Sequence, residues 1–263
     1  MLLPIHQRFL DQAKEKLRQD LRVRGLLAGG SLATGTMDEY SDLDLIIVYD
    51  AAYREPIMNQ RLLIAEGLGK LLSGFTGEHV GEPRVVICLY GPEPLHVDLK
   101  FVALEELATR MEDPLILWER EQAISKMLES TSPSYPYPDR QWIEDRFWVW
   151  IHYGATKLGR GEWFELINHL AFIRSAVLGP LFSIGNRQLP RGVRKLEQSD
   201  VEGWEELKET IPQYSFESCC HALRSTIRLY RRLRQHSDVL AKEEAEHAAT
   251  AYLEKVYAST RST

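Results

Sequence analysis

Apolar side chains recur along this chain in two rhythms, and the balance between them changes about halfway. Over residues 4–20, Ile5, Phe9, Ala13 and Leu17 return near the helical period among charged neighbours, which predicts an amphipathic helix. Two short apolar runs follow, Leu26-Leu27-Ala28 and Leu45-Ile46-Ile47-Val48, which predict strands over 22–28 and 43–49. Residues 53–72 read as a second helix, with Leu62-Leu63, Leu68 and Leu71-Leu72 inward and Gly74 and Gly77 ending it. Residues 84–90 predict a third strand, closed by Gly91-Pro92-Glu93-Pro94. From His96 to Val102 the pattern alternates: Val97, Leu99 and Phe101 share one face, His96, Asp98 and Lys100 the other. That is a fourth strand. Residues 114–128, with Pro114 where a first turn tolerates it, predict a helix.

Thr131-Ser132-Pro133-Ser134-Tyr135-Pro136-Tyr137-Pro138 then interrupts both rhythms, because closely spaced prolines cannot sit inside a helix and favour an extended connector. Beyond it only helical spacing appears, over 141–158, 163–181, 203–209, 217–235 and 239–257. The expected fold class is α/β (α+β). A catalytic domain with a mixed central sheet spans 1–130, a Pro-rich linker 131–139, and an all-α helical bundle 140–263.

The chemistry concentrates where the first two strands meet. Gly29-Gly30-Ser31 follows the first apolar run, and Asp42-Leu43-Asp44 opens the second. A Gly-Ser turn brings backbone N–H groups close to phosphate oxygens, since no Cβ blocks the approach. Two aspartates at i and i+2 on a strand point to one face, roughly 6.5 Å apart along it. That spacing suits two Mg²⁺ ions about 3.5–4 Å apart. Asp98, on the polar face of the fourth strand, supplies a third carboxylate. Acidic residues are poor strand formers, so three at such positions point to phosphoryl or nucleotidyl transfer.

The run Gly30-Ser31-Leu32-Ala33-Thr34-Gly35-Thr36-Met37-Asp38-Glu39-Tyr40-Ser41-Asp42-Leu43-Asp44-Leu45 resembles the signature of the DNA polymerase β-like nucleotidyltransferase superfamily. Gly35 in mid-loop and Ser41-Asp42 resemble its branch of small bacterial antibiotic nucleotidyltransferases. The resemblance implies a Mg²⁺-dependent transfer of a nucleoside monophosphate, AMP from ATP or its equivalent from another NTP, to a hydroxyl of a small polar acceptor such as an aminoglycoside-like antibiotic. Asp42 and Asp44 would hold both metals, and Asp98 the catalytic one. Gly29, Gly30 and Ser31 would bind phosphates, assisted by Ser41. The helical half is similar to the second domain of aminoglycoside-type enzymes. That likeness makes Lys157 a triphosphate ligand and Glu144, Glu162 and Glu165, with Asp145 nearby, candidates for substrate ammonium groups. Two other readings stand beside this one: an antitoxin-like adenylyltransferase acting on a partner protein, and a catalytically idle nucleotide sensor. Arg146 and His152 also fit the spacing of small helical RNases, a pattern that occurs easily by chance.

Charge narrows the partner. Residues 1–130 hold 14 Lys+Arg against 21 Asp+Glu, whereas a polynucleotide-binding polymerase wants a basic track. A small or cationic acceptor is expected, with no nucleic acid and no membrane, on a monomer or homodimer. The three cysteines, two of them adjacent, form no disulfide or metal spacing. The N-terminal residues lack a basic n-region and a small-residue cleavage site. Both point to the cytoplasm.

Overall fold

The computed structural model describes residues 2–198, 204–235 and 238–261. The chain divides into two compact units, Met1–Tyr135 and Pro136–Thr263.

The first unit begins with α1 (Pro4–Gln19), which turns Phe9, Leu10, Ala13 and Leu17 into the core. It continues with β1 (Val23–Ala28), a one-turn α2 (Gly30–Ala33), β2 (Leu43–Tyr49), α3 (Arg54–Asn59), α4 (Arg61–Leu68), β3 (Lys70–Gly77), β4 (Glu82–Gly91), β5 (Leu95–Ala103), β6 (Leu115–Glu119) and α5 (Ala123–Glu129). The six strands form one sheet in the order β3-β4-β5-β2-β1-β6. Only β2 and β5 run parallel; every other pairing is antiparallel. The sheet is therefore mixed, as expected.

Edge strand β6 lies inside an expected helix, and edge strand β3 takes the last three residues, 70–72, of another. Leu68, Leu71, Leu72 and Phe75 satisfy a helical spacing as well as a strand, and a short apolar run cannot choose between the two. Tertiary pairing chooses. The helix stops at Gly69, whose backbone is extended and lies against Tyr90 of β4, and the following residues pair with β4. Gly74 and Gly77 thus belong to a strand rather than ending a helix. Leu62, Leu63 and Leu72 were expected inward; they are substantially exposed, and only Leu68 of that set is fully buried. Residues 53–68 also contain a break at Gln60. Leu115 to Glu119 pair with β1, which leaves only Ala123–Glu129 of the second expected helix.

Each central strand has two differently packed faces. Leu43, Leu45, Ile47 and Tyr49 of β2 join Val97, Leu99, Phe101 and Ala103 of β5 in the larger core, with α1 and α4. The opposite face carries Val48, Val102 and Ile124 of α5 in a smaller cluster. This smaller cluster covers only the C-terminal halves of β2 and β5.

Among its described residues the second unit has helices and no strand: α6 (Arg140–Gly159), α7 (Trp163–Ile173), α8 (Gly179–Gly185), α9 (Trp204–Lys208), α10 (Phe216–Arg234) and α11 (Glu243–Arg261). A five-residue π turn, Arg174–Leu178, joins α7 to α8, so the helix expected over 163–181 runs on to Gly185. That 23-residue stretch is long and apolar enough to cross a membrane by length and composition, but half of it is buried inside the protein. Leu166, Leu170, Ile173 and Val177 are fully buried core residues. The helix expected over 203–209 begins at Gly203, outside the described residues. The last helix starts four residues later than expected. Leu240 and Lys242 instead give their N–H groups to Gln141 and Glu144 of α6, each at 2.8 Å.

Candidate active site

The parallel pairing of β2 with β5 decides where the acidic residues meet. Its register sets Asp44 directly beside Asp98, on strands about 4.8 Å apart. Asp42 immediately precedes β2, two residues from Asp44, and so shares its face. On that face the row along β2 continues through Ile46 and Val48, which the smaller core covers. Asp42, Asp44 and Asp98 occupy the uncovered end, and each is partly exposed. Their neighbours in sequence, Leu43, Leu45, Val97 and Leu99, are fully buried on the other face. Strand alternation thus anchors the backbone firmly while leaving the carboxylates accessible.

The Gly-Ser turn is built onto the same strand end. Gly29 donates its N–H to the Asp44 carbonyl at 2.8 Å, extending the β1–β2 ladder by one bond. Gly30 then turns left-handed, with φ of +53°, and a Cβ there would collide with the Asp44 carboxylate. Only glycine fits this position. The Ser31 hydroxyl is buried and has no hydrogen-bond partner. Ser41 is otherwise employed: its hydroxyl donates to Asp38 Oδ1 at 2.8 Å and accepts the Asp38 N–H at 2.9 Å. Its expected help to a phosphate would require breaking that local turn.

Two histidines that sequence reasoning did not assign support this end of the sheet. Buried His6 of α1 accepts the Leu3 N–H at Nδ1 and donates from Nε2 to the Ser41 carbonyl, at 3.0 Å. It ties α1 to the residue just before Asp42. His96 places Nε2 3.0 Å from Asp98 Oδ1. The signal for His96 was its place two residues before Asp98 on the same polar face; for His6, an imidazole in the buried stripe of an amphipathic helix.

Among the described residues, no three His, Cys, Asp or Glu side chains are drawn together as a finished metal site. The donor chemistry nevertheless fits Mg²⁺: hard carboxylate oxygens on two adjacent strand ends. Beside them lie a glycine cradle that a Cβ would fill and an unpartnered buried hydroxyl.

In the second unit, Lys157 is clamped by Glu162 at 2.6 Å and Glu165 at 3.0 Å, and its ammonium lies 5.0 Å from the centre of the Tyr153 ring. The Tyr153 hydroxyl also donates to Glu165. Hydrogen bonds from Lys157 to Glu162 and then Glu165 raise the lysine pKa above its ordinary value. The expected triphosphate ligand and two expected substrate ligands are therefore one ion-pair cluster on α6 and α7. Glu144 is a correction. Expected to face substrate, it is fully buried and receives Trp148 Nε1, Tyr230 Oη, Arg234 and the Lys242 N–H within 3.0 Å. Three of these donors meet Oε1 and one meets Oε2, and together they fasten α6, α10 and the residue before α11. Asp145 pairs with Gln141 and Lys242. Arg146 lies over Trp142 and His152 beside Tyr252, so each has a structural partner of its own.

Comparison with known proteins agrees with this geometry. Residues 10–121 match the family described as nucleotidyltransferase domain. No curated protein matches the sequence. Among solved structures, an aminoglycoside 6-adenyltransferase from Bacillus subtilis aligns at 16% identity and a TM-score of 0.40, covering 94% of this chain and 97% of that one. The Cid1 poly(U) polymerase aligns at 17% identity and 0.30, covering 94% and 76%. Both likenesses are distant, and neither carries an argument about substrate or activity. The family match covers the Gly-Ser turn, the Asp42–Asp44 pair and the strand that brings Asp98 beside them: residues 10–121 of this chain are similar to a nucleotidyltransferase domain.

Proposed function

We propose that the chain is a Mg²⁺-dependent nucleotidyltransferase that moves AMP from ATP to a hydroxyl of a small polar, cationic acceptor, an aminoglycoside-like compound being the model. One observation carries the reading: the turn at Gly29-Gly30-Ser31 is packed against Asp44, and Asp44 is in register with Asp98. Phosphate cradle, nucleotide-side carboxylate and acceptor-side carboxylate then follow one another across a single sheet end.

Gly29 and Gly30 would present backbone to the β/γ phosphates, and the Ser31 hydroxyl would donate the hydrogen bond it lacks here. Asp42 and Asp44 would hold both metal ions and Asp98 the acceptor-side one. Bound Mg²⁺ would neutralise the phosphates and the charge gained by leaving pyrophosphate. Asp98 would accept the proton of the acceptor hydroxyl. The acceptor oxygen forms a bond to the α-phosphorus as the bond to pyrophosphate breaks. In the second unit, Lys157 would exchange one of its carboxylates for a triphosphate oxygen, and Glu162 and Glu165 would take an acceptor ammonium. The acidic balance of the first 130 residues favours such an acceptor over a polynucleotide. The three cysteines are free thiols, all buried, which fits a reducing cytoplasm.

A second reading, transfer to a partner protein, has its own observation. Leu62, Leu63, Leu72, Phe75, Val80 and Leu89 are all more than two-fifths exposed along edge strand β3 and its flanks. Exposed apolar side chains on a sheet edge suit a protein partner. Pyrophosphate release with labelled ATP, across aminoglycosides, lincosamides and protein extracts, separates the two. Label on a small molecule supports the first reading and label on a polypeptide the second. No release with any of them overturns both.

A further inference from the structure

His96 belongs to no part of the mechanism above, yet it is the side chain that holds Asp98. The two residues share the polar face of β5, two positions apart, and Nε2 lies 3.0 Å from Oδ1. A carboxylate oxygen only accepts, so the imidazole donates from Nε2. The other neighbours of Asp98 on this face cannot do the same work. Ile87, its partner on β4, has no donor. Lys100, the next residue along the row, is held by Glu82 at 2.9 Å. Among the described residues, Oδ2 of Asp98 has no hydrogen-bond partner. One oxygen is held and the other carries no hydrogen bond, on a side chain about one-third exposed.

We propose that His96 is a positioning residue for Asp98: by holding Oδ1 it restricts the carboxylate to one rotamer and offers Oδ2 alone to a divalent cation and the acceptor hydroxyl. The inference rests on the nucleotidyl-transfer reading of the site. Its physical basis is entropic and geometric. A partly exposed aspartate on a strand samples several χ1 and χ2 settings. A fixed outer hydrogen bond narrows those settings in advance, as second partners of metal ligands do. His96 is itself about half exposed, so it orients Asp98 without sealing the site.

The test compares the full chain with His96→Ala and His96→Gln, since a Gln amide can still donate over a similar reach. Mn²⁺ is titrated by electron paramagnetic resonance in the presence of a nonhydrolysable ATP analogue, and steady-state kinetics are measured on an acceptor that the wild type uses. His96→Ala is expected to weaken the Asp98-dependent Mn²⁺ by roughly 10–100-fold and to lower kcat by a similar factor. KM for ATP should not change, because Asp42, Asp44 and the glycine turn hold the nucleotide. His96→Gln should recover most of both losses. Wild-type Mn²⁺ affinity in His96→Ala, or no recovery in His96→Gln, overturns the proposal. A wild-type chain that binds no Mn²⁺ with the analogue, or releases no pyrophosphate, overturns the nucleotidyl-transfer reading first. The two failures are thus read from different proteins.

Discussion

Gly30 sits against the carboxylate of Asp44, left-handed at φ +53°, so the proposed phosphate loop and the proposed metal carboxylate are sterically one object. Gly35, in the same loop, is also left-handed, but nothing lies near its Cβ position. The pair separates strain from crowding. Gly35→Ala should cost about 1–2 kcal/mol in stability, from backbone conformation alone, and leave nucleotide affinity intact. Gly30→Ala should cost at least as much and also displace Asp44, abolishing binding of a nonhydrolysable ATP analogue. Calorimetry on both variants checks this; equal nucleotide affinities would contradict the cradle.

Asp42→Asn and Asp44→Asn should abolish pyrophosphate release while the fold persists, because asparagine keeps the shape and loses the charge. Asp98→Asn should bind ATP–Mg²⁺ nearly as the wild type does, and lose the chemical step by roughly 10²–10⁴. Stopped-flow pyrophosphate detection with circular dichroism as the folding control distinguishes these outcomes. Full turnover in any one of the three variants removes that residue from the site.

Lys157 is claimed twice, by its carboxylates and by the proposed triphosphate. If it reaches nucleotide, Lys157→Met raises KM for ATP, while Tm changes little, since the ion pairs it leaves are substantially exposed on the carboxylate side. A lower Tm with unchanged KM would make the cluster purely structural.

Glu144 is the buried carboxylate on which Trp148, Tyr230, Arg234 and the Lys242 N–H converge in the second unit. Burial alone would raise its pKa, but the N–H of Lys242, the Tyr230 and Trp148 donors and the Arg234 charge outweigh that and lower it. A lowered folded value means that the ionised form stabilises the fold; that contribution is complete above the unfolded pKa and is lost as pH falls through the folded one. Glu144→Leu leaves Arg234 and Tyr230 without this acceptor and should cost about 3–5 kcal/mol. Urea denaturation monitored by tryptophan fluorescence measures it. Unchanged stability would deny Glu144 its role as a fastening point.

Acid should also act on the first unit through Glu82. Its hydrogen bond from Arg84, aided by Lys100 and opposed by burial, pulls its pKa down to about 2. Stability from this pair should hold above the ordinary carboxylate range and decline as pH falls towards that value. Glu82→Gln should flatten the decline in a thermal-melt series over that interval. An unaltered acid limb would assign the loss elsewhere.

Residue order alone was enough for the pieces whose signal is local. Strict alternation in 96–102 specified β5 and the shared face of His96, Asp98 and Lys100, because side-chain direction follows from backbone period alone. The glycine turn and the Asp-Leu-Asp step were legible for the same reason, as was the helical character of 141–158 and 217–235. Tertiary structure decided what depends on partners distant in sequence. Lys70–Gly77 and Leu115–Glu119 became edge strands because β4 and β1 offered open ladders, which no local period records. Glu144 looked like any acidic helix residue; α10 and the segment before α11 turned it into a fully buried acceptor. The meeting of Asp44 with Asp98 was of this second kind as well. Fifty-odd residues separate them, and only the parallel register of β2 on β5 brings them side by side. Each aspartate had its face assigned by local geometry, but register is a contest among whole hydrophobic faces, and the buried row of Leu43, Leu45, Ile47, Val97, Leu99 and Phe101 settled it.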